Sequence, residues 1–136
     1  MLAKTIKYTD YNGNEREEEF LFHFNKAELV EMQMSEKGGL EKKIRDIVNA
    51  KDTAELVKLF KELCLKAYGV KSEDGRRFIK SDQLREEFSQ TEAYSNLFME
   101  LAFNSEAAIE FVNGILPQEL KQELEAAQVK ELVSQQ

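Results

Sequence analysis

The first two dozen residues alternate between apolar and polar positions. Leu2, Ile6 and Tyr8 fall on even positions, as in a strand with one buried face. Asn12-Gly13 is typical of a tight turn, because both residue types tolerate a positive φ angle. A second strand then places aromatic residues on one face and carboxylates on the other: Phe20, Phe22, Phe24, Glu15, Glu17 and Glu19. The pattern predicts a β-hairpin over residues 2–24, whose aromatic face has to pack on something.

After the hairpin the apolar period changes from two to about 3.6 residues, which predicts helices. Helix starts are indicated by residues suited to N-capping: Asn25, Asp52, Ser81, Thr91 and Asn104. A further short helix is marked by its apolar spacing: Leu40, Ile44, Ile47 and Val48. Tyr68-Gly69 predicts a glycine C-cap for the third helix. Residues 70–80 form a polar, turn-rich segment with a turn at Asp74-Gly75.

These elements predict an α+β fold that is mostly α. An N-terminal β-hairpin is followed by a bundle of about five to seven short helices, spanning residues 26–116. Hairpin and helices together are predicted to form a single compact domain, residues 1–116. Residues 117–136 begin at Pro117, which suits the first turn of a helix. We expect an amphipathic C-terminal tail there, helical or partly disordered, that docks on another surface through a sparse stripe: Leu120, Leu124 and Leu132.

Composition narrows the class of protein but names no activity. A chain of 136 residues with 42% hydrophobic and 33% charged residues fits one ordinary water-soluble domain. Nineteen basic and 26 acidic residues give a formal charge of −7, which argues against a generic nucleic-acid or membrane-surface binder. The sequence has no apolar run of membrane-spanning length and no signal peptide, so we expect a cytoplasmic protein.

The sequence predicts no catalytic residue, no cofactor and no metal site. A single histidine, His23, and a single cysteine, Cys64, cannot form a His/Cys metal cluster or an internal disulfide. His23 is expected on the outward side of its strand, without a nucleophile or orienting acid nearby. Cys64 lies on the apolar stripe of a strong helix, which favours core packing. Strand alternation separates Glu18 from its acidic neighbours, so these carboxylates do not converge on one ion.

The candidate functional residues are therefore those suited to protein contact. Met32 and Met34 lie on a helix whose apolar residues point in several directions, so it is either buried on two sides or exposes an adaptable surface. Arg76 and Arg77 offer guanidinium groups for a carboxylate or phosphate, although a plain turn with an ion pair is favoured. The candidate interaction residues are Phe20, Phe22, Phe24, Met32, Met34, Arg76, Arg77, Leu120, Leu124 and Leu132.

Four segments, taken in order, carry a resemblance to a known family. They are residues 4–13 (KTIKYTDYNG), 25–32 (NKAELVEM), 68–78 (YGVKSEDGRRF) and 88–94 (FSQTEAY). None encodes a chemistry, so the resemblance depends on their order and spacing between about residues 3 and 116. The chain resembles the tail assembly chaperones of long, non-contractile-tailed bacteriophages and of prophages in Gram-positive hosts.

The resemblance implies a non-enzymatic assembly protein of the host bacterial cytoplasm that is absent from the mature virion. Such proteins coat the tape measure protein and help to recruit the tail tube protein. Many are made in two lengths by a ribosomal frameshift, and this chain would be the short form, with the longer form among its partners. The family is mainly helical and prone to oligomerise, so a homo-oligomer is expected, with no nucleic-acid or membrane partner.

Two other classes remain open on sequence grounds. The first is an acidic inhibitor or antitoxin-like protein-binding module that uses the negative charge against a basic partner. Its charge is spread over all helices and does not form a duplex-like track, which counts against it. The second is a head–tail connector protein retained in the virion. An enzyme is a weaker third alternative, because no spacing of residues selects a catalytic group.

Overall fold

The chain folds as an N-terminal hairpin followed by helices, with a second, short hairpin after the third helix. The computed structural model describes residues 1–35 and 39–115. Its elements in chain order are β1 (Leu2–Thr9), β2 (Glu15–Phe22), α1 (Lys26–Ser35), α2 (Leu40–Asn49), α3 (Thr53–Ala67), β3 (Tyr68–Lys71), β4 (Phe78–Ile79), α4 (Asp82–Ser89), α5 (Glu92–Phe103) and α6 (Ser105–Ile115). The predicted α+β, mostly α class is confirmed, with six helices within the described ranges.

The N-terminal hairpin is antiparallel, with Leu2 opposite Phe22 and Thr9 opposite Glu15. Even-numbered side chains of β1 point inward and odd-numbered ones are exposed, as the alternation predicts. In the turn only Gly13 adopts a positive φ, of 84°, whereas Asn12 does not. The Asp10 carboxylate organises this turn by accepting hydrogen bonds from the backbone N–H groups of Asn12 and Asn14, each at 2.9 Å.

The second hairpin corrects two expectations from the sequence. Tyr68-Gly69 does not form a glycine C-cap, because Gly69 lies in β3 and pairs with Leu21 of β2. The predicted polar segment at 70–80 contains β4, which pairs with β3 across the expected turn, where Gly75 has a φ of 74°. A two-residue strand shows no readable alternation, which is why the pattern missed it. The result is a four-stranded antiparallel sheet in the order β1-β2-β3-β4.

The predicted N-caps are present. Asn25 Oδ1 accepts from the Glu28 N–H at 2.8 Å while the Glu28 carboxylate accepts from the Asn25 N–H at 3.1 Å, a complete capping box. The side chain of each remaining cap accepts from the N–H group three residues later: Asp52, Ser81, Thr91 and Asn104. Because capped starts satisfy otherwise unpaired N–H groups, these residues set where each helix begins.

The core lies where helices cover the inner face of the sheet. α5 and α6 pack against β1, and α4 packs against β3. Two polar contacts join α5 to β1: Lys4 pairs with Glu100 at 2.9 Å, and the Asn96 amide donates to the Lys7 carbonyl at 3.1 Å. The largest fully buried side chains are Phe22, Phe24, Leu97 and Ile115.

Candidate functional site

The aromatic face of the first hairpin packs on the chain's own helices. Phe22 and Phe24 are buried, and Phe20 is half-buried. The centre of the Phe22 ring lies 5.8 Å from the ring centre of Phe88 in α4 and 5.2 Å from that of Phe111 in α6. The ring centres of Phe20 and Phe88 are 5.2 Å apart. In the folded chain Phe22 and Phe24 are therefore core residues.

Of the two alternatives expected for the methionine helix α1, the structure shows the second, an exposed apolar surface. Leu29 is buried, and Met32 packs partly buried against the core. On the other side, Val30 is 55% exposed and Met34 is 81% exposed. One side of α1 therefore anchors the helix, and Val30 and Met34 present an apolar surface to solvent.

Lys80 attaches α1 to the end of the first hairpin. Its ammonium group donates to the His23 carbonyl at 2.7 Å and to the Glu28 carboxylate at 2.6 Å. The same nitrogen lies 4.7 Å from the centre of the Phe24 ring, a cation–π distance. Burial lowers the pKa of Lys80, and the Glu28 carboxylate opposes that effect. Because the ion pair is largely withdrawn from solvent, removing one partner would leave a costly unpaired charge.

A cleft of about 300 Å³ opens between α1, α3 and α4. Its lining mixes apolar and charged side chains: Phe24, Glu28, Glu31, Met32, Ser35, Lys66 and Arg85. The cleft adjoins a smaller depression toward α2 that shares Met32, Ser35 and Lys66 with it. Arg85 pairs with Asp82 through Nη1 at 3.1 Å, but its buried Nε has no hydrogen-bond acceptor among the described residues. The lining therefore presents both apolar side chains and charged groups.

A second exposed apolar surface lies on α5. Met99 is 51% exposed and Phe103, four residues later on the same helix, is 80% exposed. Residues four apart lie on the same side of a helix, so these two side chains form one apolar strip. The opposite side of α5 holds Leu97 and Leu101 in the core.

The two arginine candidates lie in the turn between β3 and β4. Arg76 and Arg77 are exposed, and within the described parts of the chain neither guanidinium pairs with a carboxylate. The ion pair expected at this turn is therefore absent from those residues. Asp74 instead orders the turn, accepting from the Arg76 N–H at 3.1 Å and from the Ser72 hydroxyl at 2.8 Å. These hydrogen bonds lower the pKa of Asp74.

His23 and Cys64 both pack against other parts of the chain. Cys64 is buried on α3, as expected, and burial raises the pKa of its thiol to about 12. His23 was expected to face outward but is half-buried, with its ring edge-on to Phe78 at 6.2 Å. The sequence pattern missed this contact because Phe78 comes from the unpredicted strand β4. Burial also lowers the pKa of His23, which disfavours the charged imidazolium.

Leu120, Leu124 and Leu132 lie beyond residue 115 and so outside the described ranges. Across residues 1–35 and 39–115, no group of three His, Cys, Asp or Glu side chains is arranged to hold a metal ion. No helix in those ranges is long and apolar enough to cross a bilayer.

The residues that build the cleft were not identified from the sequence, apart from Met32 and Phe24. Lys66 and Arg85 lie on helices α3 and α4. Each is an ordinary charged position in its own segment, and no local pattern separates it from a solvent-exposed lysine or arginine. Only the arrangement of α1, α3 and α4 in the folded chain brings them to one place.

The chain matches the model of a known protein family. The family model described as phage tail assembly chaperone matches residues 1–136, the whole chain. No curated protein and no solved structure matches the chain.

Proposed function

The chain belongs to the phage tail assembly chaperone family, and from that membership we propose that it binds the tape measure protein and assists tail tube assembly without catalysis. The action proposed is protein binding in the host cell cytoplasm before the virion is complete. The tail tube protein and a longer, frameshifted form of the chain are the further proposed partners.

The observation that carries this proposal is the exposed apolar strip on α5. Phe103, at 80% exposure, is a large aromatic side chain with little protein contact, and Met99 extends the same surface. Exposing such residues has no folding advantage, whereas aromatic and methionine side chains are enriched where proteins bind each other. A tape measure protein is long and helical, and its apolar seams need cover until the tail tube encloses them. Packing of one apolar helix face against another is the recognition mode that fits the α5 strip and an apolar seam of the client.

The acidic character of the chain supports the same proposal. With a formal charge of −7, copies bound along one client would stay soluble while their apolar strips face the client. Among the exposed polar candidates, Arg76 and Arg77 would then contact acidic groups of a client or of a neighbouring copy. Their position in a turn keeps both side chains accessible.

The test is co-expression of the tagged chain with the tape measure protein from the same phage genome. We expect the unmodified chain to co-purify with this client, and the double variant Met99→Ser/Phe103→Ser to recover it at least about tenfold less, equivalent to 1.4 kcal/mol or more. Thr5→Ser, at an exposed position on the outer face of β1, is the matched control and should leave recovery unchanged.

Circular dichroism has to show that the double variant is folded before its recovery is interpreted. Full client recovery by a folded double variant would refute the α5 surface, and failure of the unmodified chain to bind would refute the client. Mass spectrometry of purified virions adds a separate check, because a retained chain would favour a connector protein. Intact-mass analysis of the products of the native locus would detect the proposed longer form.

A further inference from the structure

The cleft between α1, α3 and α4 carries charges of opposite sign on different walls. Glu31 of α1 lines it, is exposed, and has no cationic partner among the described residues. On the α3 wall Lys66 is exposed and, within residues 1–35 and 39–115, likewise pairs with no carboxylate. On the α4 wall the buried Arg85 Nε has no acceptor in the same ranges. The cleft therefore separates a carboxylate from the cations that it could neutralise.

Helix α1 is held to the rest of the chain mainly by its N-terminal half. Glu28 pairs with Lys80 at 2.6 Å, and Leu29 is buried. Further along the helix, Met32 is partly buried and Met34 is 81% exposed. Elements that pack closely include α2 with α3 and α4 with α5, and in the part of the chain that the structure describes no such pair includes α1. The later part of α1 therefore has few contacts to break if it moves toward α3 and α4.

We propose that residues 31–35 of α1 form a lid that closes the cleft, with the Glu28 end of the helix as the fixed end. In the closed arrangement the Glu31 carboxylate accepts hydrogen bonds from Lys66 and Arg85, since one carboxylate has acceptor sites for both. Closure thus gives each of the three groups a partner of opposite charge. The proposal concerns a movement within the chain and does not depend on the client proposed above.

The open and closed arrangements lie close in free energy. Closure orders side chains at the lid, which costs conformational entropy. An ion pair at partly exposed positions stabilises the closed arrangement only slightly, and withdrawal of the half-buried Met32 from water adds to it. Because these contributions are small and opposed, both arrangements are populated. The lid therefore controls access to the cleft without sealing it.

Disulfide trapping in the full chain tests the closure. Ser35 on α1 and Glu62 on α3 line the smaller depression beside the cleft, so the pair Ser35→Cys/Glu62→Cys reports how often the lid reaches α3. This pair leaves Glu31 and Lys66 intact. The native Cys64 stays reduced under mild oxidation because it is buried, with a thiol pKa of about 12. We expect a disulfide within one chain, identified by peptide mapping, that forms at least about fivefold more slowly when Glu31→Lys is added.

Further charge variants of the trapping pair isolate the electrostatic contribution. Adding Lys66→Glu to Glu31→Lys restores opposite charges across the cleft and should recover most of the lost rate. Glu110→Lys, the same charge change at an exposed position on α6, should leave the rate unchanged. Raising the salt concentration should slow trapping in the parent pair, because salt screens exposed charges. Circular dichroism establishes that each variant is folded.

Two results would overturn the lid. Equal trapping rates in the parent pair and the Glu31→Lys variant would mean that α1 approaches α3 regardless of these charges. Failure of the parent pair to form a disulfide within one chain would mean that residues 31–35 do not reach α3.

Discussion

At the residue scale, Phe22 is the side chain on which the core depends. It is completely buried and contacts aromatic rings from β3, α4 and α6. We expect Phe22→Ala to lower the free energy of unfolding by about 3–5 kcal/mol, because it removes a large buried side chain and leaves a cavity. Urea unfolding followed by circular dichroism measures this change.

The matched control for Phe22 is the exposed Phe103. Phe103→Ala should change the free energy of unfolding by no more than about 0.5 kcal/mol, because little of its surface is buried on folding. Equal losses for the two variants would contradict the assignment of Phe22 to the core and Phe103 to the surface.

Because the Cys64 thiol is buried, we expect the folded chain to lose stability at alkaline pH. Burial raises its thiol pKa from 9.0 to about 12, so the unfolded chain releases this proton at a lower pH than the folded chain does. Below pH 9.0 the thiol keeps its proton in both states and does not change the free energy of unfolding. As the pH rises from 9.0 toward 12, the unfolded chain loses the proton while the folded chain keeps it, so the free energy of unfolding falls. Between pH 8 and pH 10 the loss is about 1.4 kcal/mol.

The measurement compares urea unfolding at the two pH values for the unmodified chain and Cys64→Ala. Cys64→Ala is less stable at both pH values. Between pH 8 and pH 10, however, its free energy of unfolding should fall by about 1.4 kcal/mol less than that of the unmodified chain. Buried tyrosines also have raised pKa values, Tyr68 and Tyr94 among them, so some decline persists in both proteins. An identical decline in the two proteins would contradict burial of the thiol.

At the element scale, β3 depends on the absence of a side chain at Gly69. A Cβ atom there would lie 2.6 Å from the Phe78 ring and 2.9 Å from the Ile79 carbonyl oxygen. We expect Gly69→Ala to destabilise the chain by about 1–3 kcal/mol, because backbone or ring atoms of β4 have to move. Thermal unfolding followed by circular dichroism measures the loss.

Gly75 provides the control for this strand. It lies in the β3–β4 turn with a φ of 74°, and no atom lies within 4 Å of the position its Cβ would take. Asparagine tolerates this conformation better than other side chains. Gly75→Asn should therefore cost less than Gly69→Ala. The reverse order would contradict the close approach of Gly69 to Phe78 and Ile79.

At the scale of the whole molecule, we expect self-association through the outer side of α1. Val30 and Met34 are four residues apart and mostly exposed, and two such surfaces would bury each other in a homo-oligomer. Sedimentation equilibrium should give a larger mass for the unmodified chain than for Val30→Ser/Met34→Ser. Glu31→Gln, an exposed substitution on the same helix, should keep the larger mass. A monomeric unmodified chain would contradict the expectation.

The sequence by itself determined the fold class, the first hairpin and the helix starts. These features are local: alternation in β1 and β2 and capping side chains such as Asn25 and Thr91 act within a few residues of the backbone they organise. The order and spacing of segments also led to the family, which the match over the whole chain then showed. Each of these conclusions required only neighbouring residues or their sequence order.

Tertiary structure alone decided which apolar residues are core and which are surface. Phe22 and Phe103 look equally apolar in the sequence, yet one is fully buried and the other is 80% exposed, because burial depends on what other segments place opposite. The β3–β4 hairpin, the contact of His23 with Phe78 and the cleft with Lys66 and Arg85 are likewise products of distant segments meeting. No local period encodes such meetings, since they arise from the packing of the whole chain.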